Sequence, residues 1–446
     1  MPTLVLKSGR VFDPGQKLDQ AADVLVDTAA GTVLKIGRDL KGDQALDCKG
    51  KLVCPGFVDI HAHFREPGQT AKETIASGAA AATHGGFSTV VVMPNTDPPL
   101  DNPAAIAYQY LQAKNAAKAR VFAMGCITRQ RAGQELAELG IMTRGSGGQP
   151  GAVAFSDDGD AVPSSMTMRL ALEYASALGR VVVEHCEDRA LSCGSIMHEG
   201  RVSAALGING YPSAAEEVIV ARDIRLAKLA NARFHVAHVS AKGSVALVHE
   251  AKAKGMRVTA EVTPHHLLLT DDCCRRFDPA FKMNPPLREN SDIEACLAGL
   301  VDGTIDCLVS DHAPHTREEK EREFVDAPNG VIGLESSIGV LLTKLVAPGK
   351  LSLARFVEAW TSAPVHCLGL DRFGVTGALQ AGGPADITVL DLEYEWTLDV
   401  NSFKSKGRNC PFNGWKLKGA PVYTIVGGMV HDAIGKNSAV SVPRPA

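Results

Sequence analysis

His61 and His63 close an apolar run, Phe57-Val-Asp-Ile-His-Ala-His63, opened by Pro55-Gly56 and followed by Phe64-Arg65-Glu66-Pro67. The run reads as a buried strand, and residues two apart on a strand point the same way, so two imidazoles present themselves to one point. Convergent imidazoles suggest a divalent metal. The Cys-x-x-Cys pairs of a closed structural zinc site are missing, which favours an open, catalytic centre whose chemistry is the activation of water. Taken alone the pair has a plainer reading, two hydrogen-bonded histidines at a strand end.

More side chains of the same kind fall at the ends of later apolar runs. They are Ala154-Phe-Ser-Asp157-Asp158, Val183-Glu-His185, Val236-Ala-His238 and Val309-Ser-Asp311-His312-Ala-Pro-His315. In a (β/α)8 barrel the carboxyl ends of the strands converge on one mouth, so residues more than two hundred apart in sequence can share a metal centre. Four imidazoles and two carboxylates then meet. Nitrogen and oxygen ligands without thiolate suit zinc, manganese or cobalt, and six are too many for one tetrahedral ion, which points to two metals. Adjacent strand residues face opposite ways, so only one of Asp157 and Asp158 points inward, and spacing leaves the choice open. His235, three residues before His238, faces the other side of its strand, and His84, His198, His249, His366 and His431 fall in helices, loops or terminal strands. These six read as structural. His265 and His266 read as hydrogen-bonding groups of the mouth, and His312 is left unassigned.

The elements that must position these groups alternate. Strands are predicted to begin near Phe57, Ser88, Arg120, Gly151, Arg180, Phe234, Arg257 and Cys307, each followed by a polar or glycine loop and a helical pattern. Eight such units is the count of a closed barrel. A doubly wound open sheet would give the same alternation, but no Gly-x-Gly-x-x-Gly or phosphate loop follows a strand. Ser213-Ala-Ala-Glu216 reads as a capping box opening a helix over 217–229, with Val218, Val220, Ile224, Leu226 and Leu229 at helical spacing. The first fifty residues read as short strands, Leu4 to Val11, Ala22 to Val26, Gly31 to Ile36 and Ala45 to Val53. The texture returns at Ala385 to Asp391, Glu395 to Val400 and Val422 to Val430. The expected organisation is a (β/α)8 barrel over 55–375, with a small β-sandwich-like domain formed from 1–54 and 376–446; two separate β flaps are the alternative.

At 446 residues, 45% hydrophobic and 22% charged, the chain can bury a large core. A net charge of -4 without long like-charged runs supplies no footprint for nucleic acid or an anionic membrane. No signal-like start or bilayer-length apolar stretch is evident, and eleven scattered cysteines read as reduced thiols used for packing, so a cytoplasmic location is expected.

Asp59-Ile-His-Ala-His-Phe-Arg-Glu-Pro67 and Ser310-Asp-His-Ala-Pro-His-Thr-Arg-Glu-Glu-Lys320 resemble the two signatures of type I dihydroorotases, within the amidohydrolase superfamily. Met93-Pro-Asn95-Thr, Glu261-Val-Thr-Pro-His-His-Leu, Lys282-Met-Asn284-Pro-Pro-Leu-Arg288 and Gly333-Leu-Glu335 extend the resemblance over nearly the whole chain. It implies a zinc-dependent hydrolase of pyrimidine biosynthesis that interconverts N-carbamoyl-L-aspartate and L-dihydroorotate. By motif, His61, His63, Asp158 and Asp311 resemble ligands of one metal, and Asp158, His185 and His238 those of the other. Arg65, Asn95, Asn284 and His315 resemble the substrate-binding set, and Asn329-Gly330 align with a segment whose backbone touches substrate. Many superfamily members bridge their metals with a carboxylated lysine on the fourth strand; here 148–160 contains no lysine, and Asp158 stands in its place.

The expected chemistry is attack of metal-activated water on the ring amide, with Asp311 carrying the proton to the departing nitrogen and Arg65 binding the substrate carboxylate. The rival readings are an allantoinase or dihydropyrimidinase, and a non-catalytic barrel that scaffolds an aspartate transcarbamoylase. Expected partners are the small-molecule substrate, further copies of the chain in a homo-oligomer and, as for some dihydroorotase relatives, an aspartate transcarbamoylase.

Overall fold

The computed structural model describes residues 2–145 and 147–436. The last ten residues of the expected 376–446 segment lie outside that range. Both ends of the chain build one sheet. Its order runs Met429–Asp432, Lys416–Val426, Ile387–Thr397, Leu52–Pro55, Thr3–Asp13, Leu18–Asp27, Thr32–Gly37, with Gln44–Asp47 also paired to Thr3–Asp13. Leu52–Pro55 joins the two halves, running antiparallel to Ile387–Thr397 with Leu52 opposite Leu390 and Pro55 opposite Ile387. A Lys51–Asp391 ion pair of 2.7 Å and a bond from Phe57 N to Thr388 Oγ1 (3.0 Å) flank this seam. Alternate residues of the terminal strands, among them Leu4, Leu6, Val24, Val26, Ile387 and Val389, fill a core of their own.

Two of the expected strands have different bounds in the structure. The run from Ala45 to Val53 is two strands, because Gly50 takes a left-handed turn (φ 75°) between Gln44–Asp47 and Leu52–Pro55. Conversely, Ala385 to Asp391 and the start of Glu395 to Val400 merge into one strand, Ile387–Thr397, whose pairing shifts register between Asp391 and Glu395.

The middle of the chain alternates parallel strands and helices. Phe57–Ala62, Phe87–Val92 and Arg120–Ala123 form one parallel sheet, and Val182–Glu184, Phe234–Val236, Val258–Val262 and Cys307–Leu308 another. Residues near Gly151 form no strand of their own, yet Phe155 bridges in parallel to Gly125 on one side and to Val182 on the other. At the far edges His63 N donates to His312 O (2.8 Å) beside a parallel bridge of Ala62 to His312. These strands are buried on both faces, with Phe57, Ile60, Phe87, Phe155, Phe234 and Val236 sealed from solvent. Each fully buried side chain of this kind contributes about 1.5–3 kcal/mol. Edge-to-face packing of Phe87 on Trp360 (5.0 Å) and Phe57 on Phe356 (5.9 Å) seats the late helix Leu353–Trp360 against the first two strands.

Helix starts follow local chemistry. Thr74 caps Ile75–Gly85 in a reciprocal box with Ser77, and Asn102 caps Pro103–Ala116 through the N–H groups of Ala104 and Ala105. The helix predicted after Ser213 exists as Ser213–Leu229, but without its box. The Glu216 carboxylate is drawn away to the N–H groups of Ser240 and Ala241, each at 3.1 Å. The buried face is Ala215, Ile219, Val220, Ile224 and Ala227, leaving Val218 and Leu229 exposed. All eleven cysteines are free and nine are buried, in keeping with a packing role. Among the described residues no helix is long and apolar enough to cross a membrane.

Candidate metal centre

The strand ends bring the six ligand-type residues into one buried cluster. His61 sits on Phe57–Ala62 with His63 just beyond it; Asp158 follows the Phe155 bridge; His185, His238 and Asp311 follow Val182–Glu184, Phe234–Val236 and Cys307–Leu308. His61 Nε2 lies 3.4 Å from Asp158 Oδ1 and 3.5 Å from Asp311 Oδ1. His63 Nε2 is 3.1 Å from Asp311 Oδ1, His238 Nε2 is 3.5 Å from Asp158 Oδ1, and His185 Nδ1 is 2.9 Å from His238 Nε2. His238 (φ 28°) and Asp311 (φ 45°) hold left-handed backbone that costs of order 1–3 kcal/mol each and persists where surrounding structure imposes it.

The donor set fits a divalent cation. Ligand atoms about 2.0–2.2 Å from a tetrahedral ion lie roughly 3.3–3.6 Å apart, and the separations of His61 from Asp158 and Asp311 and of His238 from Asp158 fall in that range. Two such groups share His61: His61, His63 and Asp311, and His61, Asp158 and His238. Among the described residues Nε2 of His61 and Oδ1 of Asp158 are buried without a hydrogen-bond partner, as atoms reserved for a ligand would be. Burial opposes ionisation of Asp158 and Asp311, yet His61 and the other histidines hold both well below the usual carboxylate range. Burial likewise disfavours protonated His61, but Glu261, Asp158 and Asp311 outweigh it and raise its pKa. Both carboxyls are therefore in the anionic form that metal binding requires.

Asp157 is occupied elsewhere. Its carboxylate accepts from the N–H groups of Ile127 (2.9 Å) and Thr128 (3.1 Å) and from the Thr128 hydroxyl, pinning the preceding loop. Asp158 alone of the pair reaches the histidines.

A family model of dihydro-orotase-like proteins matches residues 50–244. The dihydroorotase of Pelotomaculum thermopropionicum is 48% identical over 96% of this chain and 98% of its own, and that of Citrifermentans bemidjiense 46% over 96% and 99%. The chain belongs to the dihydroorotase family. Among solved structures, the L-hydantoinase (dihydropyrimidinase) of Arthrobacter aurescens superposes with a TM-score of 0.84 at 29% identity, covering 99% of this chain and 98% of that one. The D-hydantoinase (dihydropyrimidinase) of Thermus sp. reaches 0.79 at 26%, covering 97% and 96%. The chain thus shares their mixed α/β fold, and metal-dependent cyclic amide hydrolysis is the activity of the group.

Around the cluster of this dihydroorotase-family chain, outer partners fix the imidazoles of His61, His63 and His185. Glu261 Oε1 meets His61 Nδ1 at 2.5 Å and accepts from His238 N at 3.2 Å, while its Oε2 faces His235 Nε2 at 3.0 Å. The ionised Glu261, held at about 2 by His61 and His235 against the cost of burial, sets the tautomer that turns His61 Nε2 to the centre. Asn95 Oδ1 accepts from His63 Nδ1 (2.8 Å), and Glu187 Oε2 meets His185 Nε2 (2.9 Å). Spacing alone gives Glu261 and Glu187 no role and reads His235 as structural. Spacing places His235 on the other side of its strand from His238, but period-two counting fails beyond Val236, where the strand ends and His238 turns left-handed. Glu261→Gln is expected to weaken metal affinity about 10–100-fold, read by metal titration of the apoprotein.

The remaining sequence candidates line the same region. Arg65 is buried, and among the described residues its one side-chain hydrogen bond runs from Nε to Pro314 O (3.3 Å). Burial lowers its pKa to about 10, against the pull of Asp311 and Asp158, so the guanidinium stays charged. Asn284 Nδ2 donates to Glu187 (2.8 Å), while its Oδ1 is buried with no partner among the described residues. His315 Nε2 donates to Asn329 O (2.8 Å); burial, then Arg65 and Lys72, push its pKa down to about 3. Asn284 and Asn329 face a cavity of about 300 Å³ with Glu187, Ser195, Tyr211 and Met283. Gly330 (φ 125°) fits where a Cβ would meet Ala313 at 2.9 Å. His312, to which spacing gives no role, accepts at Nδ1 from Gly333 N (3.2 Å) and turns Nε2 to Glu73 (3.3 Å). His265 and His266 lie on Pro264–Leu268, His266 bridging Thr263 and Pro285 O.

Proposed function

We propose that this chain is a zinc-dependent dihydroorotase of the cytoplasm, reversibly cyclising N-carbamoyl-L-aspartate to L-dihydroorotate in de novo pyrimidine biosynthesis. The observation that carries this reading is the buried cluster of His61, His63, Asp158, His238 and Asp311, with His185 beside His238, in a chain 48% identical to a dihydroorotase. The accompanying fold is a (β/α)8 barrel over 55–375 with a small β domain from 1–54 and 376–446. Its closure is supported by the parallel bridges Gly125 to Phe155, Phe155 to Val182 and Ala62 to His312.

His61, His63 and Asp311 would hold one zinc ion and Asp158, His185 and His238 the other, Asp158 also reaching the first. Bound zinc supplies Lewis acidity and lowers the pKa of water towards neutrality. The protein does the rest. Asp311, 3.1 Å from His63 Nε2, takes the proton of the attacking water; the C–N bond of the ring breaks, and Asp311 returns that proton to the leaving nitrogen. Cyclisation runs the same transfers backwards. Arg65 binds the substrate carboxylate through its free guanidinium nitrogens, and Asn95, Asn284, His315 and the Asn329-Gly330 backbone complete the pocket.

Arg65→Ala is expected to raise KM for dihydroorotate about 10–100-fold, the worth of a hydrogen-bonded ion pair, with metal content unchanged. An unchanged KM would remove the carboxylate role. The hydantoinase likeness favours a second reading, a cyclic amide hydrolase for substrates without that carboxylate. Assaying dihydroorotate, allantoin and dihydrouracil side by side on metal-quantified protein separates the two. Dihydroorotate as the preferred substrate is the expected result, and a purified, metal-loaded protein inert towards all three would point to a non-catalytic scaffold.

A further inference from the structure

Lys320 is a lysine buried to 9% exposure, and among the described residues no carboxylate pairs with it. Its ammonium instead donates to three main-chain carbonyls, Pro328 O at 2.9 Å, Gly330 O at 3.0 Å and Lys282 O at 3.5 Å. These belong to two separate loops, and each carries a residue that faces the cavity: Asn329 on one, Asn284 on the other. Two further bonds tighten the junction. Gly330 N donates to Lys282 O (2.9 Å), and Asn409 Nδ2 shares Gly330 O with the ammonium at 3.0 Å. The base of Lys320 is itself fixed. It ends the short helix Arg317–Lys320, whose Thr316–Glu319 capping box also places Glu319 beside His315 Nδ1 (3.4 Å) and against Lys72 (3.0 Å). A desolvated cation without a counterion is expensive, and burial followed by the charge of Lys282 pushes its pKa down to about 7. Packing alone would be served by an aliphatic side chain of the same length, which leaves the carbonyls as the reason for the ammonium.

We propose that Lys320 is a positioning residue for substrate binding: its ammonium fastens the Pro328–Gly330 loop to the Lys282–Asn284 loop, holding Asn329 and Gly330 at a fixed spacing from Asn284. The proposal rests on the dihydroorotase reading of the site. It places the effect of Lys320 in substrate affinity and leaves the metal cluster untouched.

Two variants test it. Lys320→Met keeps the length and removes every donor; Lys320→Gln is neutral but retains an N–H group that can reach a carbonyl. Lys320→Met is expected to raise KM for dihydroorotate about tenfold or more, with kcat within about threefold and zinc content unchanged. Amide hydrogen exchange of the 328–331 segment should quicken, and Lys320→Gln should recover part of both effects. KM within about twofold of the parent in both variants, or unaltered exchange in that segment, overturns the proposal, as does a loss carried by kcat and metal content together. Should Lys320→Met fail to fold, Lys320→Gln is judged by the same two readings. A parent protein that does not turn over dihydroorotate at all would sink the functional reading, while loop exchange would still decide the role of Lys320.

Discussion

Asp158→Ala is expected to lose bound metal and dihydroorotate turnover together, with kcat falling by several orders of magnitude. Asp158 Oδ1 is the corner shared by two imidazoles, 3.4 Å from His61 Nε2 and 3.5 Å from His238 Nε2. Its removal leaves four imidazoles with Asp311 as the one anionic member, too little negative charge to hold two dications in a water-poor site. Elemental analysis of the purified variant and turnover at pH 7 give the answer. Asp157→Ala is the matched control, since that carboxylate serves Ile127 and Thr128 and its loss should fall on stability while metal stays bound. Full metal occupancy with turnover near the parent's in Asp158→Ala would refute the assignment.

The second large effect concerns Asp311, the proposed proton carrier. Asp311→Asn keeps the side-chain shape and an oxygen facing the cluster but cannot accept the water's proton, so kcat should drop about 10²–10⁴-fold in both directions of the reaction. Because Asp311 is also a ligand candidate, metal must be measured alongside. Retained metal with a collapsed kcat and a KM near the parent's isolates proton transfer; a variant as fast as the parent moves that role to another group.

Much of this site was legible because ligands must sit where strands end. The six cluster residues each close an apolar run, and a barrel-like arrangement turns that regularity into proximity. What could not be read were contacts made between segments that only folding brings together. Glu261 lies in a recognisable motif, yet its partner His61 is 200 residues away, and nothing in the local spacing assigns it to that imidazole. The choice between Asp157 and Asp158 turns on Thr128, a loop residue without any pattern of its own. Helical alternation carried the fold, but local rules yielded wherever tertiary bonds were stronger. Glu216 abandoned its cap for Ser240 and Ala241, and the segment after Gly151 holds its place by bridges to neighbours on either side instead of as an independent strand.

The sheet assembled from both ends also sets a schedule for biosynthesis. The bond from Phe57 N to Thr388 Oγ1 spans 331 residues, and Leu52–Pro55 has no outer neighbour until Ile387–Thr397 leaves the ribosome. At about 5–20 residues per second that interval is tens of seconds, during which an unpaired strand edge stands open to other nascent chains. Asn409, whose amide holds Gly330 O beside the cavity, follows that strand off the ribosome, so the pocket is finished only after the edge is closed.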